Sequence, residues 1–324
     1  MKRLSILLAV LFQLAALAWI AWSREDILRN GQTLELATAP VDPRDIFRGD
    51  FVRLDYRIST LPRSLAGPEL QQNKAAKGSR VFTRIERERL GIRALSVDTR
   101  RPEQGLYLSG RLLNAWNPTQ TPNALRIKYG IEQYFVEQGA GKALEQRRRR
   151  EDGLQTPLFV AVALGERGTA VIRAIRWGTL GIGLRLDDME RDSPQTRGAD
   201  LTLENVSDQP LTLLLTPGQC AFTLEPADFN VPEQPLPQRP ECATRDGDDY
   251  RAVTLKPGEA HQERFEFQQA PWLVEHKGKP QPIGELPWNH RYRIVYRSPP
   301  AAESTGAWIG EIRSAAFHGR GRVD

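Results

Sequence analysis

At 324 residues, 40% hydrophobic and 26% charged, the chain has the composition of a globular protein and room for two domains. Its formal net charge of +5 conceals an asymmetry: residues 24–150 carry 24 basic and 15 acidic side chains, residues 151–324 carry 19 and 25. A basic half beside an apolar N-terminus suits anionic lipid headgroups, or is simply a solvated arginine-rich surface. Nucleic acid is excluded, since no recognition motif accompanies the charge and an exported chain would not meet it.

Leu4–Trp22 is nineteen residues without a charge, between Lys2-Arg3 and Arg24-Glu25-Asp26. At 1.5 Å per residue such a run spans roughly 30 Å, the thickness of a bilayer's hydrocarbon core. The positive start predicts an inner N-terminus and an outer remainder, with Trp19 and Trp22 at the outer interface. Ala16-Leu17-Ala18 would also satisfy a signal-peptide cleavage site. The apolar run continues past it through Trp19, Ile20 and Trp22, which favours an uncleaved anchor. The helix is expected to extend to Arg29, before Asn30-Gly31 stops it.

Beyond the anchor the signals are those of short strands. Thr33–Ala37 reads as one. Asp42-Pro43-Arg44-Asp45 and Gly49-Asp50 read as turns, and Val52, Leu54, Tyr56 and Ile58 then alternate with Phe51, Arg53, Asp55 and Arg57. That period of two predicts a half-buried strand. Leu61–Lys77 is a polar interruption with a helical turn or two within Pro68–Ala76. Further strands are predicted at Ser79–Glu86, Ile92–Val97, Leu106–Trp116 and within Leu125–Val136. Gly139 and Gly141 let the chain turn into a helix from about Lys142 to Arg150, whose four terminal arginines sit at its negative end. Phe159–Leu164 and Thr169–Trp177 form a hairpin around Glu166-Arg167-Gly168.

Two of these stretches carry a resemblance. Gly49–Tyr56 (GDFVRLDY) resembles the signature of the GDYXXLXY protein family, a set of bacterial membrane-anchored proteins without an assigned activity. Phe51 stands where that family usually has Tyr, keeping the aromatic body without the hydroxyl. Tyr129–Glu145 (YGIEQYFVEQGAGKALE) resembles a second motif of the same family. The resemblance covers roughly residues 1–178. It implies that Gly49, Asp50, Phe51, Leu54 and Tyr56, with Tyr129, Gly130, Tyr134, Phe135 and Gly141, are the positions to follow.

From Gly178 onward the pattern is of strands alone: Gly181–Asp187, two within Ala199–Leu215, then Ala221–Leu224, Arg251–Leu255, His261–Phe267, Tyr292–Tyr296 and Ala307–Ile312. Seven or so short strands with turns between them fit a β-sandwich, and Leu201–Leu215 resembles the strand–turn–strand of bacterial immunoglobulin-like domains. Cys220 and Cys242 are the only cysteines, and an exported chain with two most often pairs them. The expected fold is mainly β: a transmembrane anchor (1–29), a β-rich domain with one or two short helices (30–178) and an immunoglobulin-like β-sandwich (179–324).

Candidate chemistry is sparse. Paired carboxylates can act as acid and base or bind a cation, and Asp42, Asp45, Asp50 and Asp55 cluster in the signature. Turn chemistry accounts for the first three, and cross-strand ion pairing for Asp55, which falls on the polar face of its strand between Arg53 and Arg57. The four histidines, His261, His276, His290 and His318, lack the short spacing of a zinc site. The four lysines between Asn30 and Trp177, Lys74, Lys77, Lys128 and Lys142, stand in no Ser/Lys peptidase motif. No catalytic residue, metal ligand or cofactor is therefore expected. Two functions stay open: a non-catalytic binding or assembly module of the bacterial inner membrane, its bulk periplasmic and its partner an integral membrane protein beside the lipid bilayer itself; or an anchored hydrolase using the signature carboxylates or a Ser/Lys pair.

Overall fold

The computed structural model describes residues 2–39, 51–119, 124–135, 150, 152–187, 197–227, 234–235, 242, 249–286, 290–319 and 322–323. The chain opens on helix α1, Lys2–Asn30. Gly31 ends it, donating its N–H to the Ile27 carbonyl at 2.8 Å, where a Cβ would stand 2.5 Å from that oxygen. Within α1, Ile6–Asn30 is long and apolar enough to cross a membrane, and its apolar side chains from Ile6 to Trp22 lie exposed.

Ten strands follow: β1 (Gln32–Ala37), β2 (Phe51–Arg53), β3 (Thr60–Pro62), β4 (Arg80–Glu88), β5 (Gly91–Asp98), β6 (Leu106–Leu112), β7 (Ala124–Lys128), β8 (Gln133–Phe135), β9 (Leu158–Leu164) and β10 (Ala170–Trp177). A short helix α2, Pro68–Gln72, precedes β4 with Pro68 in its first turn, where the missing N–H costs nothing. The sheets run β1-β9-β10, β3-β7-β6-β4-β5 and β2-β8. Alternation explains their packing: Leu34 and Leu36 of β1 face Val162 and Val160 of β9 in register, and all four are buried.

Among the described residues the second half has thirteen strands: β11 (Leu180–Leu186), β12 (Gly198–Asn205), β13 (Leu211–Leu215), β14 (Phe222–Pro226), β15 (Gln234–Pro235), β16 (Arg251–Leu255), β17 (Ala260–Glu266), β18 (Leu273–His276), β19 (Lys279–Pro282), β20 (Arg291–Arg297), β21 (Glu311–Arg313), β22 (Phe317–His318) and β23 (Arg322–Val323). One sheet is β11-β12-β17; another joins β14-β20-β22-β23, with β21 also on β20. β13 pairs β16, and β15 joins the β18–β19 hairpin. The Lys256–Glu259 turn closes as its Pro-Gly centre requires, with Gly258 at φ 79° and Glu259 N–H on the Lys256 carbonyl at 2.9 Å. The protein is thus mainly β behind one apolar helix. Its large buried clusters are two, one running from Leu34 to Ala170 and one from Leu180 to Phe317.

Several expectations need correction. The signature strand is three residues, not eight: the chain leaves β8 after Arg53, Leu54 N–H still reaching the Glu132 carbonyl, and Arg57–Ser59 is a 3-10 turn. Burial still alternates at Leu54, Tyr56 and Ile58, so the period of two records the core and not the ladder. The strand expected over Leu106–Trp116 ends at Leu112, with Trp116 in an isolated bridge to Ala75. Leu125–Val136 is divided, because Gly130 at φ 84° turns the chain between β7 and β8. The last expected strand, Ala307–Ile312, begins only at Glu311. The helix expected over 142–150 lies outside the described residues, Arg150 excepted.

Candidate functional site

The two motif stretches meet. β2 and β8 pair antiparallel, placing Phe51 opposite Phe135, Val52 opposite Tyr134 and Arg53 opposite Gln133. Two tyrosines then cross over between the segments. Tyr56 donates its hydroxyl to the Ile131 carbonyl at 2.6 Å, and Tyr129 donates its own to the Ile58 carbonyl at 2.8 Å. Thr83 Oγ1 on β4 lies 2.8 Å from the Tyr129 hydroxyl; since that proton already serves Ile58, Thr83 is the donor. The result is a reciprocal clasp, each motif's tyrosine holding the other's backbone.

Burial fixes the protonation of both rings. Leu54 and Tyr56 are each 1% exposed, and Tyr129 is buried beside them. Burial, with the Glu132 and Asp55 carboxylates adding to it, pushes the Tyr56 phenol well above its ordinary range. Burial does the same to Tyr129, the Thr83 hydrogen bond opposing it only in part. Both are neutral donors at any physiological pH, and neither is a nucleophile or base.

Glu132 completes the clasp. Its carboxylate accepts the backbone N–H groups of Tyr129 and of Gly130, the latter at 2.9 Å, holding the turn that Gly130 makes. Sequence reading passed over Glu132; a carboxylate two residues past a glycine turn was the available signal. Tyr134 is half-buried against the same core, whereas Phe135 is 73% exposed. Gly49, Asp50 and Gly141, like Asp42 and Asp45, lie outside the described residues. Asp55 is corrected: in place of a cross-strand ion pair, its carboxylate accepts the Tyr56 N–H at 3.1 Å.

Arg57 points instead toward the second half. It meets Glu311 at 2.5 Å, and Glu311 also binds Arg297 at 2.6 Å and Arg313 at 2.8 Å. Glu225 pairs with Arg297 and Arg313 in turn. Burial alone would raise the Glu311 carboxyl, but Arg313, Arg57 and Arg297 outweigh it and hold it at about 2. Burial and the neighbouring Arg313 lower Arg57 to about 10, against the pull of Glu311 and Glu225. Around this cluster the halves are tied by backbone bonds between Gln155 and Ile182 and by Arg89 on the Ser298 and Pro299 carbonyls.

A cleft of about 340 Å3 between the halves includes Arg176 and Glu311, but Arg176 is already bidentate to Glu35, Nη2 on Oε1 at 2.8 Å and Nε on Oε2 at 3.2 Å. Asp55 lines no part of it. Lys74, Lys77 and Lys128 are exposed. Among the described residues no three His, Cys, Asp or Glu side chains gather as metal ligands. Cys220 and Cys242 are joined in a disulfide with Cα atoms 5.5 Å apart.

Compared with known proteins, the chain matches no curated protein and no solved structure. The family pattern described as "GDYXXLXY protein" matches residues 13–175. That stretch holds both β2 and β8, and so both sides of the clasp. Covering half of the chain, the match shows that it belongs to the GDYXXLXY protein family.

Proposed function

We propose that this is a single-pass protein of the bacterial inner membrane whose periplasmic bulk is a non-catalytic binding or assembly module, working with an integral membrane partner. In this reading residues 1–29 are the anchor, 30–178 the family domain and 179–324 an immunoglobulin-like sandwich. The observation that carries the partner is Gln13. It stands at the midpoint of the uncharged run Leu4–Trp22, exposed on α1 and without a hydrogen bond among the described residues. An amide at the centre of a bilayer finds no water, so a second transmembrane helix is its natural partner. The signature supports a non-catalytic role, because the Tyr56 hydroxyl and the Asp55 carboxylate both bond backbone groups.

The test is fractionation followed by native gel electrophoresis of gently solubilised membranes. The full-length chain should remain in the membrane pellet with Leu4–Trp22 still at its N-terminus, and should migrate in a complex larger than itself. Gln13→Leu should stay in the pellet but release the complex. A mature chain beginning at Trp19 or later, recovered in the soluble fraction, would overturn the anchor. A monomeric wild type would overturn the partner.

A further inference from the structure

The outer end of α1 stands against two loops of the first half, and a cleft of about 830 Å3 opens between them. The last turns of the helix are fixed. Ile27 packs on Gly165, where a Cβ would come within 2.9 Å of it. Arg173 donates to the Leu28 and Gly31 carbonyls and to Thr33 Oγ1. Nearer the N-terminus Trp19 and Trp22, ring centroids 5.5 Å apart, border the cleft. The facing wall is equally set. Tyr107 and Arg101 both donate to the Glu166 carbonyl, at 2.8 and 3.1 Å. Gly168, at φ 74°, brings the two loops so close that a Cβ there would meet the Tyr107 ring at 2.5 Å.

Four charged residues line this cleft: Arg24, Arg167, Asp26 and Glu166. Neither arginine, nor the Glu166 carboxylate, has a hydrogen bond or ion pair among the described residues; Asp26 accepts only the Asn30 amide, at 2.7 Å. Tryptophans at the end of a membrane-crossing helix lie at the headgroup level, so these charges face phosphates and amines. Guanidinium matches phosphate in geometry and charge. The two carboxylates would repel a headgroup that is only anionic, and they match an ammonium able to donate hydrogen bonds. We infer that the cleft binds the headgroup of a zwitterionic phospholipid bearing a primary amine, its phosphate on Arg24 and Arg167 and its ammonium on Asp26 and Glu166. The inference rests on the reading that α1 crosses a bilayer.

The experiment is native mass spectrometry of the full-length protein, solubilised from membranes and offered equal amounts of phosphatidylethanolamine, phosphatidylcholine and phosphatidylglycerol. The wild type should retain one phosphatidylethanolamine in preference to the other two. Arg24→Gln/Arg167→Gln should retain at least tenfold less of it, and Asp26→Asn/Glu166→Gln should turn the preference toward phosphatidylglycerol. Arg185→Gln, an exposed arginine of the second half, should change nothing. Preference of the wild type for phosphatidylglycerol, no preference, or an equal loss in Arg185→Gln would overturn the site while leaving the anchor standing. Absence of the protein from the membrane pellet would overturn both.

Discussion

Glu311 illustrates how one residue couples distant parts of the chain. Three guanidinium groups hold its carboxyl at about 2, below its ordinary 4.5. A carboxyl depressed by folding contributes stability that is complete above its unfolded pKa and is lost as pH falls through its folded one. The window is therefore pH 4.5 down to about 2. Glu311→Gln should cost about 3 kcal/mol at neutral pH, as removing one partner of a largely buried pair does. Urea unfolding across this pH range should show a wild type that approaches the variant's stability as acid is added. Parallel curves would contradict the assignment. Sequence could not display this. Arg57 reads as the polar face of a strand, and its partner lies 254 residues away.

At the scale of elements, legibility follows from how far an element's pattern and its hydrogen bonds agree. β1 buries Leu34 and Leu36 in alternation and pairs along its full length with β9, and both were readable. The signature was not, because inward residues recur at Leu54, Tyr56 and Ile58 through a coil and a 3-10 turn as they would through a strand. Glycine turns were readable too, but what crowds them was not. Gly168 and Gly258 have φ of 74° and 79°, so Ala at either is strained by about 1–2 kcal/mol. Gly258 faces open space, whereas Gly168 abuts Tyr107. Thermal unfolding should therefore rank Gly168→Ala well below Gly258→Ala, and equal melting temperatures would contradict the packing.

For the whole molecule, two buried clusters joined by polar contacts imply that a local loss need not spread evenly. The disulfide between Cys220 and Cys242 lies in the second half, and opening a loop of this length costs about 3 kcal/mol in the chain-entropy model. Calorimetry of Cys220→Ser/Cys242→Ser should lower the unfolding of residues 179–324 and leave that of residues 30–178 nearly unmoved. A uniform shift would mean that the polar contacts merge the two clusters into one cooperative unit. The first cluster, in turn, is closed by the two family motifs, each tyrosine bonded to the other's backbone. That the signature is architecture is the central claim, and the stability of three variants tests it most directly. Leu54→Ala should cost about 2–5 kcal/mol as a buried truncation. Tyr56→Phe should cost about 1–2 kcal/mol, leaving the Ile131 carbonyl without its donor, and Asp55→Asn, which keeps an acceptor for the Tyr56 N–H, under about 1 kcal/mol. Denaturant unfolding in that order is the predicted result; Asp55→Asn as the most damaging of the three, or Tyr56→Phe without effect, would contradict it.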